Sequence, residues 1–170
     1  MLKLAALMGI VAGCGLGGIL KAAELKERIR LLDEFFKMIL SLKSEINYFR
    51  EPLAVVLGRQ SHNEDTEASQ LLREIQHRMN TADDAVQIWR KAVLHIYGGT
   101  AATAEDRRLF QYPGGFLGQT DCENQLFHFE HLENLLQGQL QEARVSYQVK
   151  GPLFSKLGFF IGGMVAVLLM

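Results

Sequence analysis

An apolar run stands at each end of this chain, and apart from Lys3 the charged residues are confined to the stretch between them. The first run, Leu4 to Leu20, is uncharged and bracketed by Lys3 and Lys21. At ~1.5 Å of helical rise per residue it reaches roughly 25 Å, against a hydrocarbon core about 30 Å thick. It is expected to span a bilayer, with both lysines snorkelling to the interface. The second run, Leu157 to Met170, reaches only roughly 20 Å, although Leu153 and Phe154 extend it. It reads as a short terminal span, with a re-entrant or buried helix as the alternative. The expected organisation is an anchor over 1–21, a domain over 22–152 and a membrane-inserted segment over 153–170.

Lys21, Lys26, Arg28 and Arg30 follow the first run, and Lys150 and Lys156 precede the second. This cationic excess beside the apolar ends puts the middle of the chain in the cytoplasm. A rival reading starts from Val11-Ala12-Gly13-Cys14, which resembles a bacterial lipoprotein cleavage site and would make Cys14 a lipid anchor with the domain outside the cell. Against it, the apolar run continues through Gly15-Leu16-Gly17-Gly18-Ile19-Leu20, where a processed lipoprotein turns polar at once.

The middle, about 130 residues, is enough for one compact core. A formal net charge of −1 leaves no basic stripe, so nucleic acid is not an expected partner. Cys14 and Cys122 fall in different regions and imply no disulfide framework. Apolar spacing is helical almost throughout. Leu25, Ile29, Leu32, Phe36, Ile39, Leu42, Ile46 and Phe49 recur every three or four residues, giving a long amphipathic helix that kinks or restarts at Glu51-Pro52. A polar loop over 60–67 ends in a cap at Asp65 or Thr66, and a helix through Leu71, Leu72, Ile75 and Met79 follows. Thr81 and Asp84 open another that carries Trp89 and stops at Gly98-Gly99. A shorter helix from about Glu105 ends by Tyr112-Pro113. Thr120 with Glu123 then makes a capping box for a second long helix, expected to run to Gly151-Pro152. No segment alternates with a period of two, so the expected fold is all-α: an antiparallel bundle of about six helices flanked by N- and C-terminal transmembrane segments.

A search of the chain for chemistry yields little. Glu74-x-x-His77 and His128-x-x-His131 each place two metal-ligating types on one helix face, but a carboxylate-bridged site needs further inward glutamates, and the position three before His128 is Gln125. Cys122 lies on an apolar stripe, where a buried thiol is the ordinary outcome. The glycines at 13, 15, 17 and 18 sit in an apolar run and suit close helix approach rather than phosphate binding. Trp89 reads as a core anchor. No catalytic residue, metal or cofactor is expected.

Several residues together resemble the stage III sporulation protein AB family. They are Glu45-Ile46-x-Tyr48 with Pro52-Leu53, then Trp89, then Leu117-Gly118-x-x-Asp121 with Gln125, and Lys156-Leu157-Gly158 opening the apolar tail. Where that family commonly has Phe-Gly before the Leu-Gly turn, this chain has Tyr112-Pro113-Gly114-Gly115. The soluble parts of such proteins resemble the cytoplasmic domain of the inner-membrane platform proteins of type II secretion and type IV pilus systems. The resemblance implies a non-enzymatic scaffold in the mother-cell membrane, within the channel-like apparatus between mother cell and forespore. It also implies the secretion-type ATPase, stage III sporulation protein AA, the other proteins of that set and the bilayer as partners, with no small-molecule substrate. Glu45, Tyr48 and Asp121 are the candidates for partner contact. Pro52, Leu53, Trp89, Leu117 and Gly118 are expected to be structural, with Asp121 as a helix cap and Tyr48 as a half-buried bundle residue being the plainer readings of those two.

Overall fold

In the computed structural model the backbone is described over residues 2–49, 53–60, 66–79, 84–117 and 122–168. The regular elements there are α1 (Leu2–Phe49), α2 (Leu53–Gln60), α3 (Glu67–Arg78), α4 (Ala85–Tyr97), α5 (Ala104–Gln111) and α6 (Cys122–Leu168), with a 3-10 turn at Tyr112–Gly115. Among the described residues there is no strand, as the three-and-four spacing requires. The contacts divide the chain into two compact units. A central unit comprises Arg30–Leu140, and a terminal unit comprises Met1–Ile29 with Gln141–Met170.

Local chemistry sets the helix starts in the central unit. Thr66 caps α3, its hydroxyl accepting from the Ser69 N–H at 3.2 Å. Thr103 and Asp106 form a reciprocal capping box at α5: the Thr103 hydroxyl accepts from the Asp106 N–H at 3.2 Å, and the Asp106 carboxylate accepts from the Thr103 N–H at 2.8 Å. That box supplies a hydrogen bond to the Asp106 carboxylate, which is fully buried. The helix expected from Thr81 begins at Ala85, with Asp84 at the N-cap making no side-chain bond there; Thr81 lies outside the described residues, as do Asp65 and Thr120.

The core of this unit is aromatic. Phe35 of α1 stacks on Phe110 of α5 at 4.2 Å between centroids, and Tyr97 of α4 closes on Phe110 at 4.7 Å and on Phe35 at 6.5 Å. Leu31, Leu32, Ile39 and Leu42 of α1, Leu71 and Leu72 of α3, and Phe129, Leu132 and Leu136 of α6 are buried in the same unit. Trp89 is 3 % exposed and donates its indole N–H to the Phe110 carbonyl at 2.6 Å. The 3-10 turn lies against the same indole. A Cβ on Gly114 would stand 2.6 Å from the Trp89 Cβ, so the turn approaches α4 as closely as it does only because residue 114 has no side chain.

In the terminal unit, α1 and α6 meet through glycine. Gly15 and Gly158 are buried, and a Cβ on Gly18 would run into the Phe154 carbonyl and approach the Gly158 Cα at 3.4 Å. The expected break of the second long helix at Gly151-Pro152 is corrected: α6 passes through Pro152 and continues to Leu168. Proline removes one helical hydrogen bond, that to the Gln148 carbonyl. Gly151 is buried with its Cα face against the Tyr147 ring, and the segment beyond it packs on Gly18.

The flanking transmembrane segments expected at 1–21 and 153–170 are also corrected. Among the described residues no helix is long and apolar enough to cross a membrane. Glycines at 13, 15, 17 and 18 add no apolar side-chain surface ahead of Lys21, and α1 then continues without a break into Glu24, Lys26, Glu27 and Arg28. After Lys156, the described part of α6 from Leu157 to Leu168 is roughly 18 Å long, short of a core about 30 Å thick.

The contact of the turn with the indole gives a direct test of this packing. Gly114→Ala is expected to destabilise the chain by about 1–3 kcal/mol through overpacking against Trp89, measured by urea denaturation followed by Trp89 fluorescence. An unchanged midpoint would show that the turn and α4 are not in close contact.

Candidate partner-binding surface

The end of α1 carries two of the residues singled out for partner contact. Glu45 is tied back to the fold: its carboxylate lies 3.5 Å from the Arg59 guanidinium of α2, with the Glu45 side chain 15 % exposed. Tyr48 is not half-buried; it stands 78 % exposed, the most exposed large apolar side chain described. The two are therefore separated by role, one clasping α2 and the other facing solvent. Asp121, Pro52 and Gly118 lie outside the described residues, and so do the side chains of Leu53 and Cys14, whose backbones belong to α2 and α1. Leu117 is 3 % exposed, and its N–H donates to the Pro113 carbonyl at 3.0 Å.

Polar side chains of the central unit hold its helices to one another. Arg30 donates to Glu34 at 2.6 Å and forks onto both oxygens of Glu67 at 2.9 Å, joining α1 to the first turn of α3. Lys43 of α1 lies 3.1 Å from Glu133 and 3.8 Å from Glu130 of α6. Glu74 of α3 takes Arg78 at 2.6 Å and faces the His95 ring of α4 at 3.4 Å.

Burial separates the two carboxylates that share Arg30. The pKa of Glu34 is raised, chiefly by desolvation, which outweighs the Arg30 contacts, and one of its oxygens is buried without a hydrogen-bond partner among the described residues. Glu67 receives the forked guanidinium contact, and its pKa is lowered. The Tyr97 hydroxyl is buried beside them without a hydrogen-bond partner among the described residues, and burial, reinforced by the Glu34 and Glu67 charges, pushes its pKa well above the phenol range.

The histidines considered as ligands are placed otherwise. His128 hydrogen bonds through Nδ1 to the Tyr112 hydroxyl at 2.9 Å and stacks on Phe116 at 5.1 Å, while His131 lies 6.0 Å from the Tyr112 ring. His77 is exposed on α3. Among the described residues no three His, Cys, Asp or Glu side chains are grouped so as to hold a metal ion. Phe127, outside the apolar stripe expected for this helix, stands 69 % exposed on α6 with its ring 5.9 Å from His128. The signal for it was available: it falls between the inward positions Leu126 and Phe129, off the apolar stripe.

Comparison with known proteins gives one consistent result. The family model described as stage III sporulation protein AB matches residues 3–170. A solved structure entitled "Stage III sporulation protein AB (SpoIIIAB)" superposes with a TM-score of 0.65 at 19 % identity, covering 72 % of this chain and 97 % of that one. At that identity the structure supports the fold alone. No curated protein matches the chain.

The Arg30 cluster makes a prediction of opposite signs. Glu67 has a lowered pKa, so its contribution is present above the unfolded-state pKa and is lost as pH falls through the folded one. Glu34 has a raised pKa, so it opposes folding increasingly as pH rises from its unfolded-state value through the folded one. At neutral pH Glu67→Gln is expected to lose about 1–2 kcal/mol, a deficit that shrinks on acidification. Glu34→Gln is expected to be neutral or stabilising at neutral pH. Denaturation midpoints between pH 3 and 7 check both; equal losses from the two variants would contradict the assignment.

Proposed function

The chain belongs to the stage III sporulation protein AB family, a family of sporulation proteins, and from that premise we propose that it is a non-enzymatic scaffold of the channel apparatus between mother cell and forespore. In this reading the central unit faces the mother-cell cytoplasm and docks the stage III sporulation protein AA ATPase, close to other stage III proteins at the membrane that faces the forespore. The terminal unit supplies an apolar surface for that setting, with Leu16, Leu20, Phe160, Met164 and Val167 between 60 % and 75 % exposed.

The observation that carries the reading is the division of labour in the central unit. Charged side chains such as Arg30, Glu45, Lys43 and Glu74 are engaged in ties between helices. Tyr48 meanwhile keeps a large ring in solvent at the end of a packed helix. Leaving such a ring exposed forgoes its burial, worth about 1.5–3 kcal/mol for a large apolar side chain, and tyrosine is enriched among the residues that dominate binding at interfaces. A surface of that kind suits a protein whose task is contact rather than bond-making.

Biolayer interferometry with the immobilised chain and purified stage III sporulation protein AA tests the reading. Saturable binding is expected, weakened about fivefold or more by Tyr48→Ala, a truncation of about 1 kcal/mol. Absence of saturable binding by the unaltered chain would refute ATPase docking.

A further inference from the structure

The outward face of α6 in the central unit carries an exposed aromatic ring among polar side chains. Glu123, Phe127, Glu130 and Asn134 follow one another at i, i+4, i+7 and i+11, which places them within an arc of about 60°. All four are exposed, and the buried Phe129, Leu132 and Leu136 occupy the opposite side of the helix. Phe127 is thus an apolar ring set in the middle of the helix's polar face.

Two properties of this face define what it fits. The first is charge. From Cys122 to Ala143 the sequence has no lysine or arginine while it has Glu123, Glu130, Glu133 and Glu142, and the first cation on the helix is Arg144. Lys43, from α1, approaches Glu133 more closely than Glu130, and the Glu130 side chain stays 65 % exposed. The second is support for the ring. Phe127 meets the His128 ring edge to face at 5.9 Å, and His128 is itself fixed by the Tyr112 hydroxyl at 2.9 Å and by stacking on Phe116. An exposed ring on a platform already held in place loses little freedom when a partner covers it. One turn beyond Asn134, a Cβ on Gly138 would meet nothing within 4 Å, so the far end of the face is open to close approach.

We infer that the α6 face from Glu123 to Gly138 is a docking surface for a cationic protein segment that has an apolar pocket for Phe127, with Glu123 and Glu130 pairing to lysines or arginines on either side. The face is roughly 22 Å long, about four helical turns, which suits one helix of the partner laid along it. The inference rests on the scaffold reading for the identity of the partner tested, the stage III sporulation protein AA ATPase, and adds to that reading the surface and the chemistry by which contact is made.

The test uses the full chain and the purified ATPase. Binding by the unaltered chain should weaken at least tenfold between about 50 and 500 mM salt, because exposed charge pairs are screened over that range. Phe127→Ala is expected to raise Kd about tenfold or more, with the far-ultraviolet circular dichroism unchanged. The double variant E123K/E130K is expected to raise Kd about tenfold at low salt and to flatten the salt dependence. Unaltered binding by both variants, alongside saturable binding by the parent chain, would overturn the α6 face and leave the scaffold reading standing. Absence of binding by the parent chain would remove the scaffold reading and this surface together.

Discussion

The central unit depends on the meeting of three rings, Phe35, Tyr97 and Phe110, contributed by α1, α4 and α5. Short helices such as α5, eight residues long, are marginal on their own in water, so their persistence rests on what they bury. α5 buries Phe110 completely and is fixed at its other end by the Thr103–Asp106 box. The same residue offers its carbonyl to the Trp89 indole, so one position couples ring stacking, a buried hydrogen bond and the approach of the following turn. Removing any of these frees the others, since each fixes the rotamer or backbone the next one needs.

That ring cluster has a polar margin. Among the described residues, the Tyr97 hydroxyl and one Glu34 oxygen are buried there without hydrogen-bond partners, next to the Arg30 fork on Glu67. Buried polar groups of this kind oppose folding, and a desolvated ion pair is weak support for stability. The gain lies in direction: a forked guanidinium fixes where the first turn of α3 sits relative to α1, which apolar packing alone leaves free to slide. With the helices set by such ties, exposed rings at Tyr48 and Phe127 are held on rigid elements, as a docking surface requires.

The terminal unit follows another rule. Its helices approach through Gly15, Gly18 and Gly158, where absent side chains bring backbones together, and α6 keeps its course through Pro152. A proline is a strong stop signal for an isolated helix because it costs about 3 kcal/mol. In α6 the Phe154 carbonyl and Gly158, just beyond it, lie against Gly18 of α1, so tertiary contact offsets a local preference that the sequence alone reports as dominant. The same continuity bears on the apolar ends: read by themselves they suggested separate spans, whereas each is one end of a long helix whose remaining turns are charged.

Much of the helix content was legible because it rests on spacing. Leu71, Leu72 and Ile75 mark the buried side of α3, and Phe129, Leu132 and Leu136 that of α6, by a period that needs no partner to be read. The capping box at Thr103–Asp106 carries an equally local signal, a Thr-x-x-Asp two residues ahead of the helix start expected at Glu105. The Arg30 fork could not be read at all: Glu67 is 37 residues away, and nothing in either neighbourhood specifies the other. Partner contact falls between these cases. Tyr48 was singled out by a family pattern, and spacing does not say whether its ring turns inward or outward. Phe127 has the opposite status, since the periodicity that places Leu126 and Phe129 toward the core turns position 127 outward. An apolar residue that helical geometry forces outward is information about a surface, and its value rises when, as on α6, the same turn is free of lysine and arginine and the residue beside it is pinned to the fold.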